Sequence, residues 1–147
     1  GVIMASKSCF LAFNSANDNN QTGTANFVTV DFDTEVFDQG GDFAADTFTA
    51  RVTAPHLLVA KVNLFGITGA ADLAVIQIIT SNRTYRGTGL NATNAIPSVT
   101  RLIATAFVDM DIGDTATVQV RVDGEASNVV DIEGHATLML TSFSGCQ

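Results

Sequence analysis

The sequence predicts an all-β fold, a two-sheet antiparallel sandwich or jelly roll. Val, Thr and Phe are abundant, while Pro numbers 2 and the helix formers Lys and Glu are scarce. No long segment keeps a 3.6-residue apolar period, and strict alternation is common instead. Turn signals recur at short spacing, among them Gly40-Gly41, Gly113-Asp114 and Asp123-Gly124.

Taken in order, Ser8–Phe13 reads as the first strand, and the Asn-rich Asn14–Thr24 as a polar loop. Further strands are expected at Asn26–Asp33, Thr47–Thr53, Leu57–Phe65 and Leu73–Thr80. Asn82–Pro97 reads as a second loop. Val99–Val108, Thr115–Val122 and His135–Phe143 complete the strands. The clearest alternation is in Thr115–Val122. Val118, Val120 and Val122 point to one face and Thr117, Gln119 and Arg121 to the other, the pattern of a strand with one buried and one wet face. Helices do not alternate with these strands, so a parallel βαβ fold is not expected.

At 147 residues the chain has the size of one domain, and 46% hydrophobic against 15% charged residues excludes intrinsic disorder. We divide it into an N-terminal arm, 1–7, and a single domain, 8–147. The formal net charge is −8, with only Lys7, Lys61 and five scattered arginines. Nucleic acid and anionic lipid are therefore not expected partners. No apolar run approaches the roughly 18 residues of a membrane helix, so membrane insertion is not expected. The N-terminal Gly1–Met4 is too short for a signal-peptide core and lacks a basic flank. Cys9 and Cys146 fit no zinc or redox spacing. They either pair as a disulfide, if the two ends lie side by side, or remain two buried thiols.

Catalytic signals are weak. His56 and His135 stand far apart, and no nucleophile elbow, zinc-protease helix motif or phosphate loop occurs. No catalytic residue and no cofactor is expected. Asp31, Asp33, Glu35 and Asp38 form one acidic segment, and Asp109, Asp111 and Asp114 another. Calcium is the ion such oxygens would take, but the spacing matches no EF-hand loop and does not support it. Solvated edges and turns are the plainer reading. Sequons at Asn20, Asn82 and Asn91 matter only in a eukaryotic secretory setting.

The order of the motifs resembles a known family. Phe10-Leu11-Ala12-Phe13 comes first, then Val30-Asp31-Phe32-Asp33-Thr34-Glu35-Val36-Phe37-Asp38, Phe48-Thr49-Ala50, a nearby Ala54-Pro55 and the alternating Leu58–Leu64. Next come Thr84-Tyr85-Arg86-Gly87-Thr88-Gly89 and Asp111-Ile112-Gly113-Asp114-Thr115-Ala116-Thr117-Val118. Thr141-Ser142-Phe143-Ser144-Gly145 closes the series. From about Phe10 to Gly145 the chain resembles the C1q-like globular heads, the complement-type branch of the tumour-necrosis-factor-like jelly rolls. It departs from their pattern where the Phe-Thr-Ala-Pro motif is split and His56-Leu57-Leu58 replaces the usual Gly-x-Tyr. No collagen repeat is present.

The resemblance implies a jelly roll packed as a homotrimer without a catalytic set. It implies neighbouring first and last strands, which would bring Cys9 near Cys146. It also assigns structural roles. Gly113 would free the turn from which Asp114 starts a strand, Phe143 would plug the core, and Phe13, Phe32 and Gly145 lie in the matching motifs. Ten phenylalanines with many Val, Ile and Leu also give more apolar surface than a thin sandwich needs, which favours a trimer interface.

Two functional readings remain. The first is a non-enzymatic structural or attachment protein of a virus particle, such as a bacteriophage fibre tip, tail or capsid decoration protein. It would be located in the virion, with other virion proteins or a host surface glycan or protein as partners. The alternative is an extracellular or cell-surface head of a longer bacterial or eukaryotic protein, binding carbohydrate or protein. The expected recognition surface is Asn82–Asn94, centred on Arg83, Tyr85 and Arg86 and including Asn91, because Tyr and Arg are over-represented at binding hot spots. The competing reading of Thr84–Arg86 is a short strand after a turn.

Overall fold

The structure, a computed structural model, describes residues 8–91 and 95–147. The arm 1–7 and Asn94 therefore lie outside the described residues. In chain order the strands are β1 (Cys9–Phe13), β2 (Asp18–Thr22), β3 (Val28–Thr29), β4 (Thr34–Asp38), β5 (Phe43–Ala44), β6 (Thr47–Thr49) and β7 (Ala54–Phe65). They continue as β8 (Leu73–Thr80), β9 (Thr84–Asn91), β10 (Thr100–Met110), β11 (Thr115–Asp123), β12 (Val130–Ile132) and β13 (Ser142–Cys146). No helix occurs among the described residues.

Two antiparallel sheets face each other across one core, as the alternation predicts. The first has the order β2-β12-β7-β13-β1-β4, with β10 on the free edge of β7. The second has the order β5-β6-β11-β8-β9, with β3 also on β11. The central β7 is long enough to hold β13 along Leu57–Lys61 and β12 at Leu64–Phe65 on one side. β10 runs along its whole length on the other.

Even-numbered residues of β7, β8, β10 and β11 turn inward. Leu58, Ala60, Val62 and Leu64 meet Ile76, Ile78, Val118, Val120 and Val122, all fully buried. At the β1/β13 end the core becomes aromatic. Phe10 stacks on Phe43 and Phe48 at centroid distances of 5.2 and 4.7 Å and meets Phe143 edge-on at 5.1 Å. Phe32 joins through Phe143 at 5.6 Å. Phe13, 8% exposed, faces the opposite side of β1. Gly145 lets β13 approach β7, because a Cβ there would stand 2.4 Å from Leu58 Cδ2 and 2.8 Å from the Leu57 carbonyl.

The two sheets also meet at one edge, where β9 passes β10. Thr88 stands in for backbone pairing there. Its hydroxyl accepts from the Ile103 N–H at 3.2 Å and donates to the Ile103 carbonyl at 3.0 Å. The neighbouring Gly87 is packed too tightly for a Cβ, which would fall 2.5 Å from the same carbonyl.

Several boundaries differ from the sequence reading. The Asn-rich Asn14–Thr24 contains β2, whose residues pair with β12 through Val130↔Thr22 and Ile132↔Asp18. Asn82–Pro97 is mostly β9 rather than loop. The strand expected at His135–Phe143 begins only at Ser142. His135 Nδ1 accepts from the Thr137 and Leu138 N–H groups, both at 3.0 Å, and this local turn displaces a ladder. Asn26–Asp33 pairs only at Val28–Thr29, and Thr47–Thr53 ends at Thr49.

Candidate functional site

The residues expected to form one recognition loop are dispersed by the alternation of β9. Tyr85 sits opposite Ile78 and packs against the core. Its ring therefore lies half-buried on the core side of the strand and does not share the outward side with Arg86. Arg83 lies in the preceding turn and pairs with Asp109 at 3.2 Å, both side chains well exposed. Arg86 turns outward, opposite Gln77, and Asn91 ends the strand opposite Leu73. Only Arg86 and Asn91 therefore share the outward side of this strand, and Asn94 is outside the described residues.

The turn before β11 is built by Gly113 and Asp114. Gly113 has φ +91°, a left-handed conformation that favours glycine. The Asp114 carboxylate accepts from the Asn82 side-chain amide at 2.7 Å and the Asp111 N–H at 2.8 Å. Asn82 and Asp111 are thus committed to holding this turn.

The outward face of the second sheet carries a polar cluster that alternation places there. Arg86 Nη2 donates to Gln77 Oε1 at 3.0 Å, and Gln77 Nε2 donates to Gln119 Oε1 at 3.1 Å. Arg121, the next residue after Gln119 on the same face, grips both Asp123 oxygens at 2.8 and 2.9 Å. The Arg121 and Arg86 guanidinium carbons stand 5.0 and 5.8 Å from the ring centroid of Phe27, within cation–π range. Sequence reasoning missed Phe27, Gln77, Gln119 and Arg121. The outward phase of Thr117, Gln119 and Arg121 was the available signal.

The outward face of the first sheet carries an apolar patch. Leu57 and Val59 of β7 alternate outward against Phe107 and Thr105 of β10 and against Cys146 and Ser144 of β13. Leu11 and Phe37 extend the face across β1 and β4. Phe107 is 76% exposed, Ile103 46%, Phe37 43% and Leu57 38%. On the β1/β13 side of this patch lies a pocket of about 340 Å³ lined by Leu11, Phe37, Leu57, Val59 and Cys146 among others. At this face Cys9 and Cys146, directly opposed in the ladder, are joined by a disulfide with Cα atoms 4.2 Å apart.

An open acidic pocket of about 530 Å³ lies beside the β5–β6 hairpin, lined by Asp31, Asp33, Glu35 and Asp46 among others. Ala45 and Asp46 form its two-residue turn with φ +50° and +63°. Asp46 Oδ1 accepts from the Phe32 N–H at 2.8 Å. Burial, the hydrogen bond to Asp46 and the charges of Asp46, Asp18 and Asp33 push Asp31 up to about 6. Burial opposes ionisation of Asp33 too, yet hydrogen bonds from Ser15 and Thr34 hold it below the usual carboxylate range. Among the described residues no three His, Cys, Asp or Glu side chains are grouped to hold a metal ion. His56 is fully buried against Phe48, with Nδ1 on the Ala54 carbonyl at 2.9 Å, while His135 is exposed.

The sheet order invites comparison with solved structures. The chain aligns with the globular domain of zebrafish complement 1qA at TM-score 0.62 and 13% identity, covering 95% of each chain. It aligns with murine APRIL at pH 5.0 at TM-score 0.60 and 16% identity, covering 96% of this chain and 98% of that one. The pH 8.5 structure of murine APRIL gives the same TM-score at 14% identity. The fold is the C1q/TNF-like jelly roll. No protein-family model and no curated protein matches the sequence. At these identities the likeness concerns the fold, and it agrees with the architecture that the motif order implied.

Proposed function

We propose that the chain is a non-enzymatic recognition head that works as a homotrimer through the apolar face of its first sheet. The observation that carries this reading is that face. Leu11, Phe37, Leu57, Ile103 and Phe107 occupy outward positions that would carry polar groups in a sheet exposed to water. A closed three-fold ring buries such a face in every copy and leaves none over to propagate. The fold supports three copies, because C1q/TNF-like domains typically form homotrimers.

The setting we propose is a virus particle, as a fibre tip, tail or capsid decoration protein. The compact, acidic jelly roll supports it. The second reading, an extracellular or cell-surface head, is favoured by the disulfide, which persists in oxidising surroundings. Mass spectrometry of purified particles from the encoding source separates the two. Stoichiometric copies support the first reading, and their absence removes it.

Assembly is tested by light scattering coupled to gel filtration. At micromolar concentration the expected mass is about 46 kDa, three times 15.4 kDa. Phe107→Asp should dissociate the trimer with little change in the circular dichroism of the protomer, because Phe107 is mostly exposed there. A wild-type mass of 15.4 kDa would remove the proposal.

A further inference from the structure

We propose that the outward face of the second sheet, around Arg86, Phe27 and Gln119, binds the carboxylate of an acidic saccharide. The inference rests on reading the chain as a recognition head, since burial of the first sheet's face in a trimer leaves the second sheet's face free.

The hydrogen-bond polarity of the cluster is fixed by Arg86. A guanidinium donates and cannot accept. Gln77 must therefore turn Oε1 toward Arg86, as it does at 3.0 Å, and Nε2 toward Gln119. Gln119 must then offer Oε1 to Gln77, so its own NH₂ is left over. Among the described residues that NH₂ has no partner, and neither Nε nor Nη1 of Arg86 donates to any group. Arg86 also makes no ion pair with a described residue, unlike Arg51, Arg83 and Arg121. The chain of amides thus points both of its oxygens at internal donors and leaves the Gln119 NH₂ and the remaining Arg86 N–H groups without a partner among the described residues. The charge of Asp123 is met by Arg121, which bonds both its oxygens.

Two guanidiniums face one carboxylate on this patch, whereas the whole chain carries −8. Charge complementarity therefore selects an anion, and the planar guanidinium matches a carboxylate in particular. The setting selects the carrier. β8 lies between β9 and β11, and β11 between β8 and the β3/β6 edge, so the ladder groups of these two strands are paired, while the outer side of β9 is covered by β10 at Gly87 and Thr88. An acidic peptide could not add as a strand to this face. A rigid sugar acid needs no free edge. It brings a carboxylate to Arg86, acceptor hydroxyl oxygens to the Gln119 amide and an apolar ring face to Phe27.

The test uses the full chain and tetragalacturonate as probe, monitored by amide-shift titration. The expected result is saturable binding, with shifts concentrated at Phe27, Gln77, Arg86 and Gln119. The neutral galactotetraose should not bind. Arg86→Gln should weaken binding about ten-fold or more, the scale of a lost charge-assisted hydrogen bond, and Gln119→Met should weaken it less. Arg83→Gln, outside the patch, should bind as wild type. Gln119→Met carries the test if Arg86→Gln does not fold. Absence of saturable binding at about 10 mM, a range weaker than the millimolar affinities of single contacts, would overturn the proposal. Equal weakening by Arg83→Gln would also overturn it, as would tetraglutamate binding as tightly as the sugar. Light scattering of the same samples keeps the readings apart. A trimer that ignores the sugar sinks only this inference, while a monomer sinks the trimeric head.

Discussion

Asp31 and Phe10 show how single side chains tune this molecule. The Asp31 carboxyl is raised from 3.8 to about 6, first by burial and then by its hydrogen bond to Asp46 and the acids nearby. The native state therefore holds this proton more tightly than the unfolded chain does. Stability from this group is complete below the unfolded value and declines as pH rises through about 6. Asp31→Asn should flatten the dependence of the thermal midpoint on pH between about pH 4 and pH 6.5 and raise the midpoint slightly at about pH 7.5. A steeper slope in the variant would contradict the assignment. Phe10 contacts Phe43, Phe48 and Phe143 at once. Phe10→Ala should cost about 3–5 kcal/mol, measured by urea denaturation, because its three ring neighbours cannot all collapse into the space.

At the scale of elements, the edge between β9 and β10 is the most sensitive junction. It lacks a backbone ladder and depends on Thr88 and on the missing side chain of Gly87. Gly87→Ala should destabilise by about 1–3 kcal/mol, as overpacking does, and should speed amide exchange at Ile103. Unchanged exchange there would show that the junction yields easily. The same strands explain what was legible in the sequence. β7, β8, β10 and β11 carry inward apolar residues in strict phase, and they were readable. β2, Asp-Asn-Asn-Gln-Thr, has no apolar phase because it is an edge strand wet on most positions, so composition disguised it as loop. Gly87 and Gly89 broke the pattern of β9 in the same way, which hid the fact that Tyr85 and Arg86 must face opposite sides. The apolar outward residues of β7 and β10, Leu57, Val59, Ile103 and Phe107, stand between the inward ones in sequence. Which of them formed one face became clear only from the register Leu57↔Phe107.

Over the whole molecule, the two sheets divide their duties. One offers an apolar face with Phe107 protruding, and the other a donor-rich face with Arg86. The disulfide ties strands 137 residues apart in sequence. In the chain-entropy model such a closed loop stabilises by about 5 kcal/mol. Cys9→Ser with Cys146→Ser should lower unfolding free energy by about 2–5 kcal/mol, read from denaturant midpoints. An unchanged midpoint would show that β1–β13 pairing alone restrains the ends.

The position of that bond also has a mechanical consequence. Tension applied to the chain on the N-terminal side of Cys9 and the C-terminal side of Cys146 passes through one covalent sulfur bridge and never enters either sheet. The head then behaves as a rivet in a tether, transmitting force without lengthening. Pulled by an atomic-force cantilever under oxidising conditions, it should show no unfolding extension. After reduction, the same pull should release about 45–49 nm of chain, the contour of 137 residues.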